Sequence, residues 1–276
     1  MGSDLVAKLI PYIERMEWPS NQQINEVGIR AFDIALDEVD SYRNDPKPLQ
    51  KALLSLQTGG CEPLCYAGIA YTLVAASEEK EGTYAQEGLD EAMKWLEKAQ
   101  AITPDVIDIN FIEALVYVYS DRFEDARLVL DYLQEQSTTD NYRLLVTESI
   151  LSYRIKDLEG LTYWTDLAGQ AAANVPQRLR LIGRVADAFL EAEDYDNALE
   201  QYKKAIHFDK DNPALWHKVS LIHWRLENYE EAQRYNQQVL KLDPRIKAAQ
   251  KMSAALKEKL GQDDEGGNAL SRLFKR

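Results

Sequence analysis

The sequence predicts an all-α protein in which pairs of helices repeat along the chain, and three observations support this prediction. First, an aromatic or leucine residue precedes a second apolar residue by three positions at five places, and the second members lie at 92, 126, 161, 198 and 232. The steps between them are 34, 35, 37 and 34, the length of a two-helix repeat. Second, a small residue recurs upstream of each copy. Third, prolines stand where repeats end, at Pro104, Pro213 and Pro244.

The upstream small residues are Gly68, Ala114, Ser149, Ala186 and Ser220. A small residue in the first helix and an alanine in the second allow two antiparallel helices to pack closely, because no bulky side chain separates their ridges. The step from 68 to 114 is 46, one period plus twelve. We assign the extra residues to a polar loop inserted between two helices near 77–88.

The segment from Trp216 to Pro244 resembles a tetratricopeptide repeat (TPR), with Ser220, Tyr229 and Ala232 at the matching positions. The preceding segment, 179–212, is similar but has isoleucine and lysine where tryptophan and proline are usual. The resemblance extends over about five repeats, residues 61–244. It implies a right-handed α-solenoid of stacked helix pairs, whose first helices line a concave groove that binds proteins.

The two ends are predicted to differ from the repeats. Residues 1–60 read as helices over 4–17 and 21–42 and a short helix ending at 59–60, and whether residues 21–57 form a degenerate repeat stays open. Residues 245–260 form a capping helix with a lysine-rich outer side. Residues 261–276 read as a flexible linker followed by a basic, apolar tail.

Composition narrows the classes of function. The formal net charge of −14 opposes binding to nucleic acid. Apolar runs are too short to span a bilayer, and residues 1–4 do not begin a secretory signal. The only two cysteines, Cys61 and Cys65, are interpreted as reduced packing residues, which favours a cytoplasmic location.

The sequence does not contain the residue patterns of an enzyme. His217 and His223 are six positions apart and face different sides of a helix, and His207 has no nucleophile motif near it. The acidic pairs, such as Glu124-Asp125, fit the first turn of a helix, where negative charge is favoured. We therefore expect no catalytic residues, no metal site and no cofactor.

The predicted functional surface is the concave groove. Its lining is expected to be apolar and partly aromatic, although some of these side chains must also pack between helices. The candidates are Phe111, Leu115, Val118, Tyr119, Val146, Ile150, Tyr153, Leu190, Leu221 and Trp224. Some TPR proteins clamp a carboxylate with lysine and asparagine, but here the matching positions hold His217 and Leu221, or Gly183 and Asp187.

Our leading hypothesis is a non-enzymatic adaptor or assembly factor that binds an apolar or amphipathic peptide or helix in the groove. One alternative is a homo-oligomeric scaffold. Another is an assembly factor docked on a membrane through the tail, which places three large apolar residues beside three basic ones. The predicted tail contacts are Leu270, Leu273, Phe274, Lys275 and Arg276.

Overall fold

The structure is a computed structural model that describes residues 2–42, 45–59, 61–80, 82–136 and 141–261. The described residues form fourteen helices and one short hairpin, which confirms the all-α prediction. The helices are α1 (Gly2–Arg15), α2 (Glu26–Asp40), α3 (Lys47–Thr58), α4 (Glu62–Ala76), α5 (Gln86–Ile102), α6 (Ile107–Tyr119), α7 (Phe123–Gln136), α8 (Tyr142–Arg154), α9 (Leu158–Ala171), α10 (Val175–Glu191), α11 (Tyr195–Phe208), α12 (Pro213–Arg225), α13 (Tyr229–Leu242) and α14 (Lys247–Lys259).

The chain divides into two compact units, Met1–Ile155 and Lys156–Arg276. In unit 1, α2 packs on α3, α4 on α5 and α6 on α7, and α8 packs on both α6 and α7. In unit 2, α10 packs on α11 and α12 on α13, with α9 against α10 and α14 against α13. The division falls between α8 and α9, the two helices of the third predicted repeat. In the segment 21–57, for which the sequence leaves a degenerate repeat open, α2 packs on α3.

The small residues of the repeat frame lie at helix contacts. All six alanines of the frame are fully buried, as are the two serines, and Gly68 is buried too. The buried Ser220 hydroxyl donates to the Ala232 carbonyl across one pair, at 2.8 Å. A larger side chain at any of these positions would hold the helices apart. The buried alanines are Ala92, Ala114, Ala126, Ala186, Ala198 and Ala232, of which Ala114 and Ala186 belong to first helices.

The backbone repeats the same period in a feature that the sequence did not reveal. Asp121, Lys156, Glu193 and Glu227 all adopt left-handed φ angles of 58° to 62°, at spacings of 35, 37 and 34. Each residue ends the first helix of a pair. After three of them, an amide donates back to a helix carbonyl at 2.9 Å, as from Asn228 to His223. This is a helix-ending turn usually built on glycine, and here none of the four residues is glycine.

The insertion after α4 differs from the predicted loop. Residues Glu78–Lys80 and Thr83–Tyr84 form two antiparallel strands, β1 and β2, and α5 already begins at Gln86. Helix α2 also has narrower bounds than the expected 21–42, because it begins only after Asn25, whose side chain caps it by accepting from the Gly28 amide. The tail residues 269–276 lie outside the described residues.

Candidate functional site

Four of the predicted groove residues in unit 1 belong to its core. Phe111, Leu115, Val118 and Ile150 are between 0% and 7% exposed. The Phe111 ring packs edge-on against Tyr71 of α4, with centroids 6.1 Å apart. Side chains so deeply covered offer a partner almost no surface. Their assignment to an open groove is therefore wrong, because they are buried in the hydrophobic core of unit 1.

Charged side chains from distant parts of unit 1 meet beside this core. Arg143 of α8 lies 3.5 Å from a carboxylate oxygen of Asp33 and 3.7 Å from one of Asp37, both on α2. The Tyr71 hydroxyl donates to Asp40 at 2.7 Å. The Arg143 contacts join helices that are three pairs apart in the chain. Sequence reasoning missed them, because no local pattern links positions separated by more than a hundred residues.

The hairpin contacts another predicted groove residue, Tyr119. The rings of Tyr84 and Tyr119 stack with centroids 3.9 Å apart and planes inclined by 21°. Arg154 of α8 donates through Nη1 to the Gly82 carbonyl, and its Nη2 lies 2.5 Å from Asp121 Oδ1. The inserted segment therefore covers part of the surface predicted to bind a partner. Two other candidates of unit 1, Val146 and Tyr153, are half-buried on α8.

In unit 2 the predicted groove residues fall into two groups. Leu190 is 8% exposed and packs in the core, so its assignment to the groove is also wrong. Leu221 and Trp224 of α12 are only half-buried, and Trp224 meets Tyr229 edge-on at 5.2 Å. That these two residues line a groove stays a prediction.

Polar groups connect α10 and α12 beside Leu221. Lys218 Nζ lies 2.9 Å from Asp187 Oδ1, and the Tyr202 hydroxyl donates to the same carboxylate. One helical turn before Asp187, a Cβ placed on Gly183 would have no neighbouring atom within 4 Å. Open space therefore lies beside the ion pair, on the face of α10 that carries both residues. We call Gly183, Asp187, Lys218, Leu221 and Trp224 the α10–α12 surface.

Two of the histidines and both cysteines pack within helix contacts. Burial lowers the pKa of His217 and of His223, and the His223 ring stacks on Tyr235 with centroids 5.2 Å apart. Both cysteines are buried and unpaired, and the Cys65 thiol donates to the Leu56 carbonyl. Burial raises the pKa of Cys65 to about 12, so this thiol stays protonated. Across the described part of the chain, no three histidine, cysteine or carboxylate side chains cluster as a metal site.

Among the residues that the structure describes, no helix is both long enough and apolar enough to cross a bilayer.

The packing of helix pairs at a period near 34 residues defines a helical repeat protein of the solenoid class. Two family models identify the repeat: one described as "TPR repeat" matches residues 186–227, and one described as "Tetratricopeptide repeat" matches residues 213–246. Residues 186–246 of the chain are therefore tetratricopeptide repeats. Both matches lie in unit 2 and include α12.

Known proteins with similar sequence or structure agree with this fold. Cellulose synthase operon protein C of Pseudomonas fluorescens is 24% identical over 267 residues, which is 93% of this chain. The chain spans only 20% of that relative's length. A signal transduction ATPase of Pyrococcus horikoshii with a tetratricopeptide repeat sensor superposes with a TM-score of 0.59 and 16% identity. The match covers 84% of this chain and 36% of the ATPase chain.

The structure named for pilF of Pseudomonas aeruginosa superposes with a TM-score of 0.53 and 16% identity, and the match covers 77% of this chain and 96% of that one. The Cut9–Hcn1 hetero-tetramer gives a TM-score of 0.55 at 11% identity, over 83% of this chain and 46% of the other. At these identities the similarity establishes the fold alone. The all-α solenoid of TPR type is thereby confirmed.

Proposed function

We propose that this protein is a non-enzymatic adaptor that binds an apolar or amphipathic peptide, or one helix of a partner, on the α10–α12 surface of unit 2. Stacked helical repeats present extended surfaces that bind other proteins. The observation that carries the proposal is the half-buried pair Leu221 and Trp224, on the first helix of the repeat that both family models match. Aromatic side chains in such positions often dominate binding energy.

The chemistry of the surface supports an apolar ligand rather than a carboxylate. Lys218 is already paired with Asp187, and the positions of the carboxylate clamp hold His217 and Leu221, or Gly183 and Asp187. The open space over Gly183 gives room for an inserted side chain. A helix with an apolar stripe would bury Leu221 and Trp224 while its polar side faced the ion pair.

Site-specific photo-crosslinking in native lysate tests the proposal. A benzophenone amino acid replaces Leu221 in one variant and Phe208 in the control, since Phe208 is an apolar residue of unit 2 that is 41% exposed. We expect a discrete crosslinked protein from position 221 that is absent from position 208. Adding Trp224→Gln to the first variant should remove it.

Three results would contradict or redirect the proposal. Equal crosslinking from both positions would indicate nonspecific capture, and no crosslinking from position 221 would exclude this surface. If the crosslinked product is a second copy of the chain, the homo-oligomeric scaffold replaces the adaptor.

The buried thiols of Cys61 and Cys65 support a cytoplasmic location, where thiols stay reduced.

Docking through the segment Leu270–Arg276 stays a separate hypothesis, in which apolar and basic side chains contact a partner or an anionic membrane. Flotation with liposomes containing anionic lipid, with and without residues 263–276, tests the membrane version. Recovery of both proteins in the same fraction would exclude it.

A further inference from the structure

We propose that Tyr119, Asp121 and Arg154 of unit 1 form a binding site for an extended segment that carries an aromatic side chain, and that the hairpin of this chain occupies the site as an internal ligand. A partner of the same chemistry would bind by displacing the hairpin. The inference concerns unit 1 alone and does not depend on the adaptor surface proposed for unit 2. We call these three residues the Tyr119–Arg154 site.

The first recognition element is the face of the Tyr119 ring. Tyr84 lies over it with a centroid distance of 3.9 Å and an interplanar angle of 21°. Stacking of this kind requires a planar ring but tolerates tyrosine, phenylalanine or tryptophan. The site therefore selects an aromatic residue without fixing which one.

The second element is the guanidinium of Arg154, whose side chain is only 16% exposed. Asp121 holds one end of it, with Nη2 and Oδ1 2.5 Å apart, so that Nη1 is directed to the Gly82 carbonyl. An arginine oriented by a carboxylate loses little freedom when it donates a further hydrogen bond. Because the acceptor is a main-chain carbonyl, this contact does not select the side chain of the residue that supplies it.

The two elements fix the geometry of the ligand. Gly82, in the hairpin turn with φ 79°, and Tyr84 are two positions apart, and Thr83 between them belongs to β2, where an extended chain advances about 6.6 Å over two residues. A ligand must therefore present a free carbonyl two residues before an aromatic side chain. A helix rises only about 3 Å over the same interval, so it would not match both contacts.

The hairpin itself is suited to exchange. Its strands are three and two residues long, and Glu78, Glu79 and Thr83 are exposed. A two-stranded hairpin of this size is marginally stable in water by itself, so its docked position depends on contacts with the rest of unit 1. Tethering gives the hairpin an effective concentration of roughly millimolar, which a tighter-binding partner would overcome.

The experiment uses the full chain and the hairpin sequence as the probe. A labelled peptide of residues 78–86 is titrated by fluorescence anisotropy into the wild type and into a Tyr84→Ala variant, which leaves the Tyr119 ring uncovered. We expect saturable binding to Tyr84→Ala and at least tenfold weaker binding to the wild type. Adding Tyr119→Ala or Arg154→Ala to Tyr84→Ala should remove binding, and a peptide with alanine at the tyrosine should not bind.

A matched control is Tyr163→Ala in unit 2, which removes a tyrosine that is 58% exposed and should behave as the wild type does. Folding of each variant is checked by circular dichroism. A folded Tyr84→Ala variant without saturable binding, or binding that survives Tyr119→Ala, would overturn the proposal. If Tyr84→Ala does not fold, Arg154→Ala is examined by hydrogen exchange, with Lys156→Ala as the control. The amides of residues 82–85 should exchange faster in Arg154→Ala than in Lys156→Ala. Equal exchange rates in the two variants would overturn the proposal.

Discussion

Arg127 of α7 lies 3.0 Å from the carboxylate of Glu148 on α8, and the Glu148 side chain is completely buried. Gln134 donates a second hydrogen bond to the same carboxylate. Burial raises the pKa of Glu148, and the positive charge of Arg127 offsets part of that increase. The core of unit 1 therefore holds a carboxylate whose charge depends on one partly exposed arginine.

Arg127→Ala should destabilise the protein, because the buried carboxylate loses its countercharge. We expect a loss of about 2 kcal/mol, less than for a fully enclosed ion pair, because the Arg127 side chain is 37% exposed. Urea denaturation followed by circular dichroism measures the difference. Arg30→Ala is the control, since the Arg30–Glu26 pair is largely exposed. Equal midpoints for the two variants would show that the Arg127 pair contributes nothing.

Glu148→Gln should change the pH dependence of stability. A carboxyl whose folded pKa is raised keeps its proton longer in the folded state, so wild-type stability falls as the pH rises from the ordinary value of 4.5 through the folded pKa. The neutral glutamine cannot lose that proton. We expect the stability of the wild type relative to the variant to decrease across this window, as measured by urea midpoints. A stability difference between the two proteins that does not change with pH would contradict the raised pKa of Glu148.

Arg143→Ala should weaken unit 1 in a salt-dependent manner. The variant removes both ion pairs to α2, in which Asp33 and Asp37 are 54% and 73% exposed. Exposed pairs contribute at most about 1 kcal/mol and are screened by salt. We expect the difference in unfolding midpoint from the wild type to shrink at high ionic strength. A difference that is unchanged by salt would mean that Arg143 stabilises by packing.

His223→Phe should remove part of the acid sensitivity of unit 2. The pKa of His223 is lowered mainly by burial, then by Lys203 and Arg234, while Glu231 opposes the shift. A histidine with a lowered folded pKa stabilises above its ordinary value of 6.5, and this contribution is lost as the pH falls through the folded pKa.

Phenylalanine keeps the stack on Tyr235 and does not titrate. We expect the midpoint of the variant to fall less on acidification than that of the wild type, with His217 accounting for a remaining decrease. His207→Phe, at an exposed position, serves as the control. Identical acid sensitivity in all three proteins would contradict the assignment.

Ala232→Leu tests the repeat register. Ala232 is fully buried against the helix that carries Ser220, so added methyl groups would overpack the contact at a cost of about 1 to 3 kcal/mol. Ala214→Leu adds the same side chain at an exposed position and should change stability little. Equal melting temperatures for both variants would show that position 232 is not at the helix contact.

The sequence alone was enough to predict the repeat. Ala126, Ala198 and Ala232 recur at the period of the two-helix repeat, and each lies at a buried helix contact. This prediction succeeds because the packing of one helix pair is decided within about 34 residues, a distance over which apolar and small residues form a readable pattern. The left-handed turns at Glu193 and Glu227 share the period, but they escaped notice because glutamate does not signal that conformation.

The exposure of the first-helix side chains was decided by the tertiary structure. The apolar pattern is the same for a side chain that lines a groove and for one covered by the next helix, so Phe111 and Leu190 could not be distinguished from Trp224. The ion pair of Arg143 with Asp33 and the stack of Tyr84 on Tyr119 join residues 110 and 35 positions apart. Which surfaces stay open depends on such long-range contacts, because the period of a repeat fixes local packing but not what covers it.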